Sequence, residues 1–262
     1  YLDFKSQIIL EFMPNSNLSE LDSHEKIEDA RKKRERFYNF YKPSRKIKNI
    51  NTTEHFIKIS NKNILLREYS KSNNKTKKAI LYFHGGGYVF GSVKAMDNMC
   101  KLIAKKTDCN VFSLDYSLAP ENKFPICLLE GMLAIKKINS FGYQNNEISL
   151  CGDSAGAHLA ACICKNLANE NHDMIHSQFL IYPMCDPTCS SDSHKEGSNQ
   201  LLLTTESMKW FWKKLLPEDG RIKRDDYDLL YGNDMKYFPK TIVVTAGFDV
   251  LHSEGEEFAT KL

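Results

Sequence analysis

The sequence has no apolar run of the length, about 20 residues, that carries a helix across a bilayer, so a helical membrane span is excluded. It also has little charge excess: 36 Lys and Arg against 33 Asp and Glu leave a formal net charge of +3. Nucleic-acid binding draws on a strongly basic face, and this balance supplies none. Internal repeats are missing, and so is any low-complexity tract long enough for a linker, apart from the polar turn KSNNKTKK at 71–78. Repeat arrays therefore fall away, leaving one large domain, or one domain with a small cap, in 262 residues. The regular loop spacing of a disulfide scaffold is absent as well. The eight cysteines (100, 109, 127, 151, 162, 164, 185 and 189) lie mostly in apolar segments and read as buried thiols of a reducing, cytoplasmic compartment. Cys185, Cys189 and His194 fit no zinc spacing and no second CxxC pair supports them, so no metal is expected. The chain opens on Tyr1 instead of Met, which leaves an upstream targeting segment open.

What is present has a clear order. Residues 1 to about 45 read as an amphipathic helical segment, with Ile27, Ala30, Phe37, Tyr38 and Tyr41 near helical spacing. The basic run RKKRER at 31–36 is then the solvated face of that helix. After Pro43 come short β-like runs, HFIKIS and ILLREY. From residue 79 onward the strands AILYF, NVFSLDY, EISLCG, SQFLIYP and TIVVTAG alternate with helices around 95–106, 126–139, 155–168 and 253–262. Such alternation predicts an α/β fold: a mostly parallel central sheet flanked by helices, with its site at the carboxyl ends of the strands.

Two of those ends carry chemistry. AILYFHGGGYVFGS (79–92) brings Gly85, Gly86 and Gly87 to the end of a strand, where bare backbone N–H groups can face an anion. EISLCGDSAGAHLAA (147–161) runs a strand into Gly152, Asp153, Ser154, Ala155 and Gly156 and then into a helix. G-x-S-x-G between strand and helix is a nucleophile elbow: the turn is too sharp for flanking side chains, and the helix N-terminus faces developing negative charge. Together the motifs predict Ser154 as nucleophile, with Gly85, Gly86, Gly87 and the N–H of Ala155 forming an oxyanion hole. His84, at the loop entrance, is expected to fix the loop by hydrogen bonding, and Asp153 to support the motif.

HGGGYVFGS, DYSLAPENKFP (115–125), GDSAG, YPMCD (182–186), MKWFW (208–212) and GFDVLHSEGEEFA (247–259) occur in this order. Over nearly its whole length the chain thereby resembles the hormone-sensitive-lipase-like branch of the α/β-hydrolases, which includes bacterial carboxylesterases. The resemblance implies a helical cap segment at 1–45, a hydrolase domain at 46–262 with a cap contribution near 200–216, and no cofactor. It places the catalytic acid at Asp249 and a supporting role at Glu254. From the residues alone, Asp249 follows a strand and is placed to orient an imidazole, or to cap the helix that comes next. Ser117 departs from the family, which usually has arginine there.

The general base is the gap. In this hydrolase order the histidine follows the acid, and none of the eight histidines (24, 55, 84, 158, 172, 176, 194 and 252) lies at the expected place. His158, four residues after Ser154 on the same helix, is expected beneath the elbow, and His252 on a surface turn. The expectation is a C-terminal tail, carrying a final strand, a helix and the base. The function expected is hydrolysis of short- to medium-chain carboxylic esters through an acyl-enzyme. The alternatives are a ligand-binding pseudoenzyme like the plant gibberellin receptor, which keeps this fold without the base, and an amide-hydrolysing deacetylase. The partner expected is a small-molecule ester, with a homodimer as an option and no nucleic acid.

Overall fold

The computed structural model describes residues 18–40, 47–72, 76–169, 174–196, 203–232, 235 and 238–262. Seven strands form one sheet: β1 (Ile50–Ile59), β2 (Lys62–Lys71), β3 (Ala79–Phe83), β4 (Asn110–Leu114), β5 (Ile148–Asp153), β6 (Ser177–Ile181) and β7 (Lys240–Val244). The spatial order is β1-β2-β4-β3-β5-β6-β7. β1 and β2 form an antiparallel hairpin that joins β4 antiparallel, and β4, β3, β5, β6 and β7 run parallel. The helices are α1 (His24–Phe40), α2 (Asp97–Lys106), α3 (Ile126–Asn139), α4 (Ala155–Asn169), the short α5 (Asp192–Lys195), α6 (Thr205–Leu215) and α7 (His252–Lys261). Each strand and helix expected from residue 79 onward is found, with ends shifted by a few residues.

Strand alternation sends successive side chains to opposite faces, and both faces are covered. Leu81, Phe83, Phe112, Leu114 and Leu150 join the main core with Ala157, Ala160, Ala161 and Cys164 of α4. Tyr82, Val111 and Cys151 face the other way, onto Cys100 and Ala104 of α2 and Tyr69 of β2. Small residues along α4 let that helix settle close to the strands, and the cysteines serve as compact apolar packing. All eight are free thiols, as the spacing suggested.

One expectation needs correcting. In α1, Ile27 and Ala30 are buried as the periodicity required, but RKKRER is not simply a solvated face. Arg31 lies one turn beyond Ile27 and so shares its inward side. Its Nε donates to the Val89 carbonyl at 2.8 Å, and its terminal nitrogens reach the Ala119 carbonyl at 2.8 Å and both Glu121 oxygens at 2.9 and 3.0 Å. Burial would raise the Glu121 pKa, but bonding to the Arg31 guanidinium outweighs it and lowers the value to about 2. Arg34 stacks on the Phe90 ring at 4.2 Å. Only Lys32, Lys33 and Arg36 of the run are exposed. Tyr41, and the rest of the expected N-terminal segment before residue 18, lie outside the described residues.

Candidate functional site

The register of the parallel strands assembles the site. Phe83 pairs with Gly152, and Asp153 with Ile181, which in turn pairs with Val244. The chain therefore leaves β3 toward the glycine loop, β5 toward Ser154 and β7 toward Asp249 at one edge of the sheet. Two strand spacings of about 4.8 Å separate β5 from β7, with β6 between them.

Ser154 has φ of +53°, a left-handed conformation that a non-glycine residue adopts only where its surroundings impose it. The imposing contacts come from its glycines. A Cβ on Gly152 would overlap the Gly156 carbonyl, and one on Gly156 would overlap the Phe83 carbonyl, so α4 starts hard against β3 and β5. Ser154 N–H donates to the Ile181 carbonyl at 2.9 Å. Ala155 is the first residue of α4, where N–H groups lack intrahelical acceptors.

The glycine loop is held from beneath. Asp153 Oδ1 accepts the Tyr82 hydroxyl at 2.6 Å and the Gly85 N–H at 3.0 Å. Gly86 and Gly87 have φ of +121° and +61°, and the Gly86 carbonyl accepts from the N–H groups of Val89 and Phe90. His84 Nδ1 bonds the Gly85 carbonyl at 2.9 Å, and its ring stacks on Tyr116 at 4.3 Å. Burial lowers its pKa, so the ring is neutral and Nδ1–H is the donor to the carbonyl.

A second loop, 115–119, braces the first through residues that sequence reasoning passed over. The Tyr116 hydroxyl donates to the His84 carbonyl at 2.6 Å, Val93 N–H to Asp115 Oδ1 at 3.0 Å, and Ala119 N–H to the Tyr88 carbonyl at 2.8 Å. Ser117, the departure from the family pattern, is tied to buried Glu130. Its N–H donates to one carboxylate oxygen at 2.6 Å and its hydroxyl to the other, while Lys62, the first residue of β2, donates to that hydroxyl. A cation thus reaches the Ser117 hydroxyl from a different element. No sequence signal links residues 62 and 117.

Asp249 sits in the turn after β7, where Oδ1 accepts the Leu251 N–H at 3.0 Å, and the next turn starts α7. Burial raises its pKa and the Leu251 bond opposes the shift. The bond is a local turn contact two residues along the chain, and α7 begins after Leu251 without a side-chain cap. Glu254 is fully buried and accepts from the Cys185 N–H at 2.6 Å, with His194 Nε2 2.8 Å from its other oxygen. It ties α7 to the loop after β6 and to α5.

Most described histidines are engaged elsewhere. His24 meets Glu121, His55 meets Glu68, and His252 lies 3.5 Å from Glu256. His158 Nδ1 lies 2.6 Å from the Tyr88 hydroxyl and Nε2 is 2.6 Å from the Tyr227 carbonyl. Among the described residues no group of three or more His, Cys, Asp or Glu side chains could hold a metal.

Burial lowers the His158 pKa to about 4 from an ordinary 6.5. Between those values the unfolded chain binds the extra proton and the folded chain resists it, so stability is present above pH 6.5 and lost as pH falls toward 4. That lowering corresponds to about 3 kcal/mol. Urea titrations should show the wild type losing this much more than a His158→Gln variant between pH 7 and pH 4. Parallel pH profiles would contradict the assignment.

Above the loop lies α6, whose Met208, Phe211, Trp212 and Leu215 are buried. Phe211 fills the space a Gly87 side chain would need, Trp210 stacks on Phe90 at 6.3 Å, and Trp212 meets His158 edge-on at 5.2 Å.

Comparison with known proteins agrees with this architecture. Residues 80–262 match a family described as having the α/β hydrolase fold. A carboxylic ester hydrolase of Mycobacterium tuberculosis, LipN, is 29% identical over 211 residues, 75% of this chain and 55% of LipN. An arylesterase of Saccharolobus solfataricus is 29% identical over 220 residues, 79% of this chain and 69% of the relative. An ester-hydrolase structure from the metagenome of Lake Arreo superposes with a TM-score of 0.87 at 27% identity, covering 100% of this chain and 85% of that one. The chain spans a little over half the length of several curated relatives that it matches.

Proposed function

The chain belongs to the α/β-hydrolase fold family, as its hormone-sensitive-lipase-like motif order anticipated, and on that premise we propose that it is a serine carboxylesterase for short- to medium-chain esters. The observation that carries this reading is Ser154, held at φ +53° between two glycines that admit no side chain. Its Oγ attacks the ester carbonyl, a histidine takes the proton and returns it to the departing alcohol, and water then releases the acyl group. Among the described residues no histidine occupies that position. Asp249 is assigned to orient the base from the end of β7, and the loop Gly85–Gly87 with Ala155 to hold the oxyanion.

The cap is part of the proposal. With Phe211 seated on Gly87 and Trp210 on Phe90, α6 covers the glycine loop, and α1 reaches the same loop through Arg31. Such a cover excludes water and limits the acyl chain. The eight free thiols favour a reducing, cytoplasmic setting, and no described helix is long and apolar enough to cross a membrane.

A series of p-nitrophenyl esters from acetate to palmitate tests the reading on the natural chain. Hydrolysis should be fastest for short acyl groups and fall steeply toward palmitate. Preference for the longest chains would contradict the cap assignment. Tight binding of small carboxylic acids without turnover would favour a ligand-binding protein instead.

A further inference from the structure

His158 is a buried titratable group that the reaction above does not use. It lies one turn into α4 from Ser154, with its N–H donating to the Ser154 carbonyl at 3.0 Å. Its ring is fully buried between four elements. Tyr88 of the glycine loop meets Nδ1 at 2.6 Å, the Tyr227 carbonyl meets Nε2 at 2.6 Å, and Trp212 of α6 abuts the ring. Cys162 Sγ lies 3.4 Å from Nε2 on the ring's own helix, and the positive charge of Lys165 opposes protonation.

The protons can be counted. A carbonyl only accepts, so Nε2 carries a hydrogen and donates it to Tyr227. A neutral ring then leaves Nδ1 as an acceptor, and the Tyr88 hydroxyl donates to it. Tyr88 directly follows Gly87 and has φ of +62°. A bulky residue keeps that conformation only when its surroundings hold it.

We propose that His158 is a positioning residue: a neutral strut that holds Tyr88, and through it the N–H groups of Gly86 and Gly87, at the geometry an oxyanion requires. This rests on the esterase reading above. Losing a whole oxyanion donor costs roughly a hundred- to a thousandfold in turnover. Loosening the loop that carries the donors should cost a part of that.

Asn and Gln separate the two halves of the strut. His158→Asn puts an amide oxygen near the place of Nδ1 and keeps an acceptor for Tyr88. His158→Gln puts its amide nitrogen near the place of Nε2, keeping the donor to Tyr227 and losing the Tyr88 partner. Tyr88→Phe and His158→Gln should each lower kcat roughly tenfold with little change in KM, and the double variant should be no slower than either. His158→Asn should recover most of that loss. If Asn and Gln lose activity equally and in step with their melting temperatures, or Tyr88→Phe keeps the wild-type kcat, the proposal is overturned. Nitrogen-15 spectra of the His158 ring give a readout independent of hydrolysis. A neutral, Nε2-protonated ring at pH 7 supports the strut, and an imidazolium or an Nδ1-protonated ring overturns it. A wild type with that tautomer and no esterase activity would count against the esterase reading alone.

Discussion

Ser154→Ala should remove ester hydrolysis while leaving the fold in place. Loss of the attacking oxygen in a serine hydrolase lowers kcat by a factor on the order of 10⁴ to 10⁶. The stability change should be small, because alanine keeps the Cβ, and the strain at φ +53° is common to both residues. The elbow is fixed by the close approach of Gly152 and Gly156 and by the Ser154 N–H bond to Ile181, none of which involves Oγ. Circular dichroism and melting should therefore superpose on the wild type while the p-nitrophenyl acetate rate falls to background. A variant that retains the wild-type rate would remove Ser154 from the mechanism.

The second large effect concerns the loop that faces the serine. Gly86 has φ of +121°, and a Cβ there would overlap the Phe90 carbonyl. Gly86→Ala must therefore shift the loop that the Val89 and Phe90 N–H groups close onto the Gly86 carbonyl. Displacing one oxyanion donor in this way should lower kcat about a hundred- to a thousandfold, with KM changing far less. Gly142→Ala is the control. Gly142 also has a left-handed φ, of +95°, but a Cβ there would meet nothing within 4 Å, so the substitution should cost stability alone. Equal kcat losses in the two variants would mean that general strain, and not the oxyanion geometry, sets the rate.

The fold was legible where the pattern is local. AILYF, NVFSLDY and TIVVTAG are short β-rich runs bounded by turn residues, and each forms its strand. The two glycine motifs were legible because backbone sterics restrict them to few residue types. The braces were not. Asp153 with Tyr82, Tyr116 with the His84 carbonyl, and Lys62 with Ser117 join residues 32 to 71 positions apart, and only the sheet order brings them together. Arg31 shows the same limit at close range: within a basic run, charge suggests solvent, but its place one turn after Ile27 turns it toward Val89 and Glu121. Ionic groups face inward when a carboxylate and free carbonyls wait there.

The most direct test of the central claim is covalent. A fluorophosphonate reacts with a serine only where that hydroxyl is activated and an oxyanion site accepts the phosphoryl oxygen. After incubation of the natural chain, intact mass should show one adduct per molecule, and peptide mapping should place it on Ser154. Labelling should vanish in Ser154→Ala and slow markedly in Gly86→Ala. An adduct on another residue, or undiminished labelling in Ser154→Ala, would contradict the assignment of Ser154 as the nucleophile.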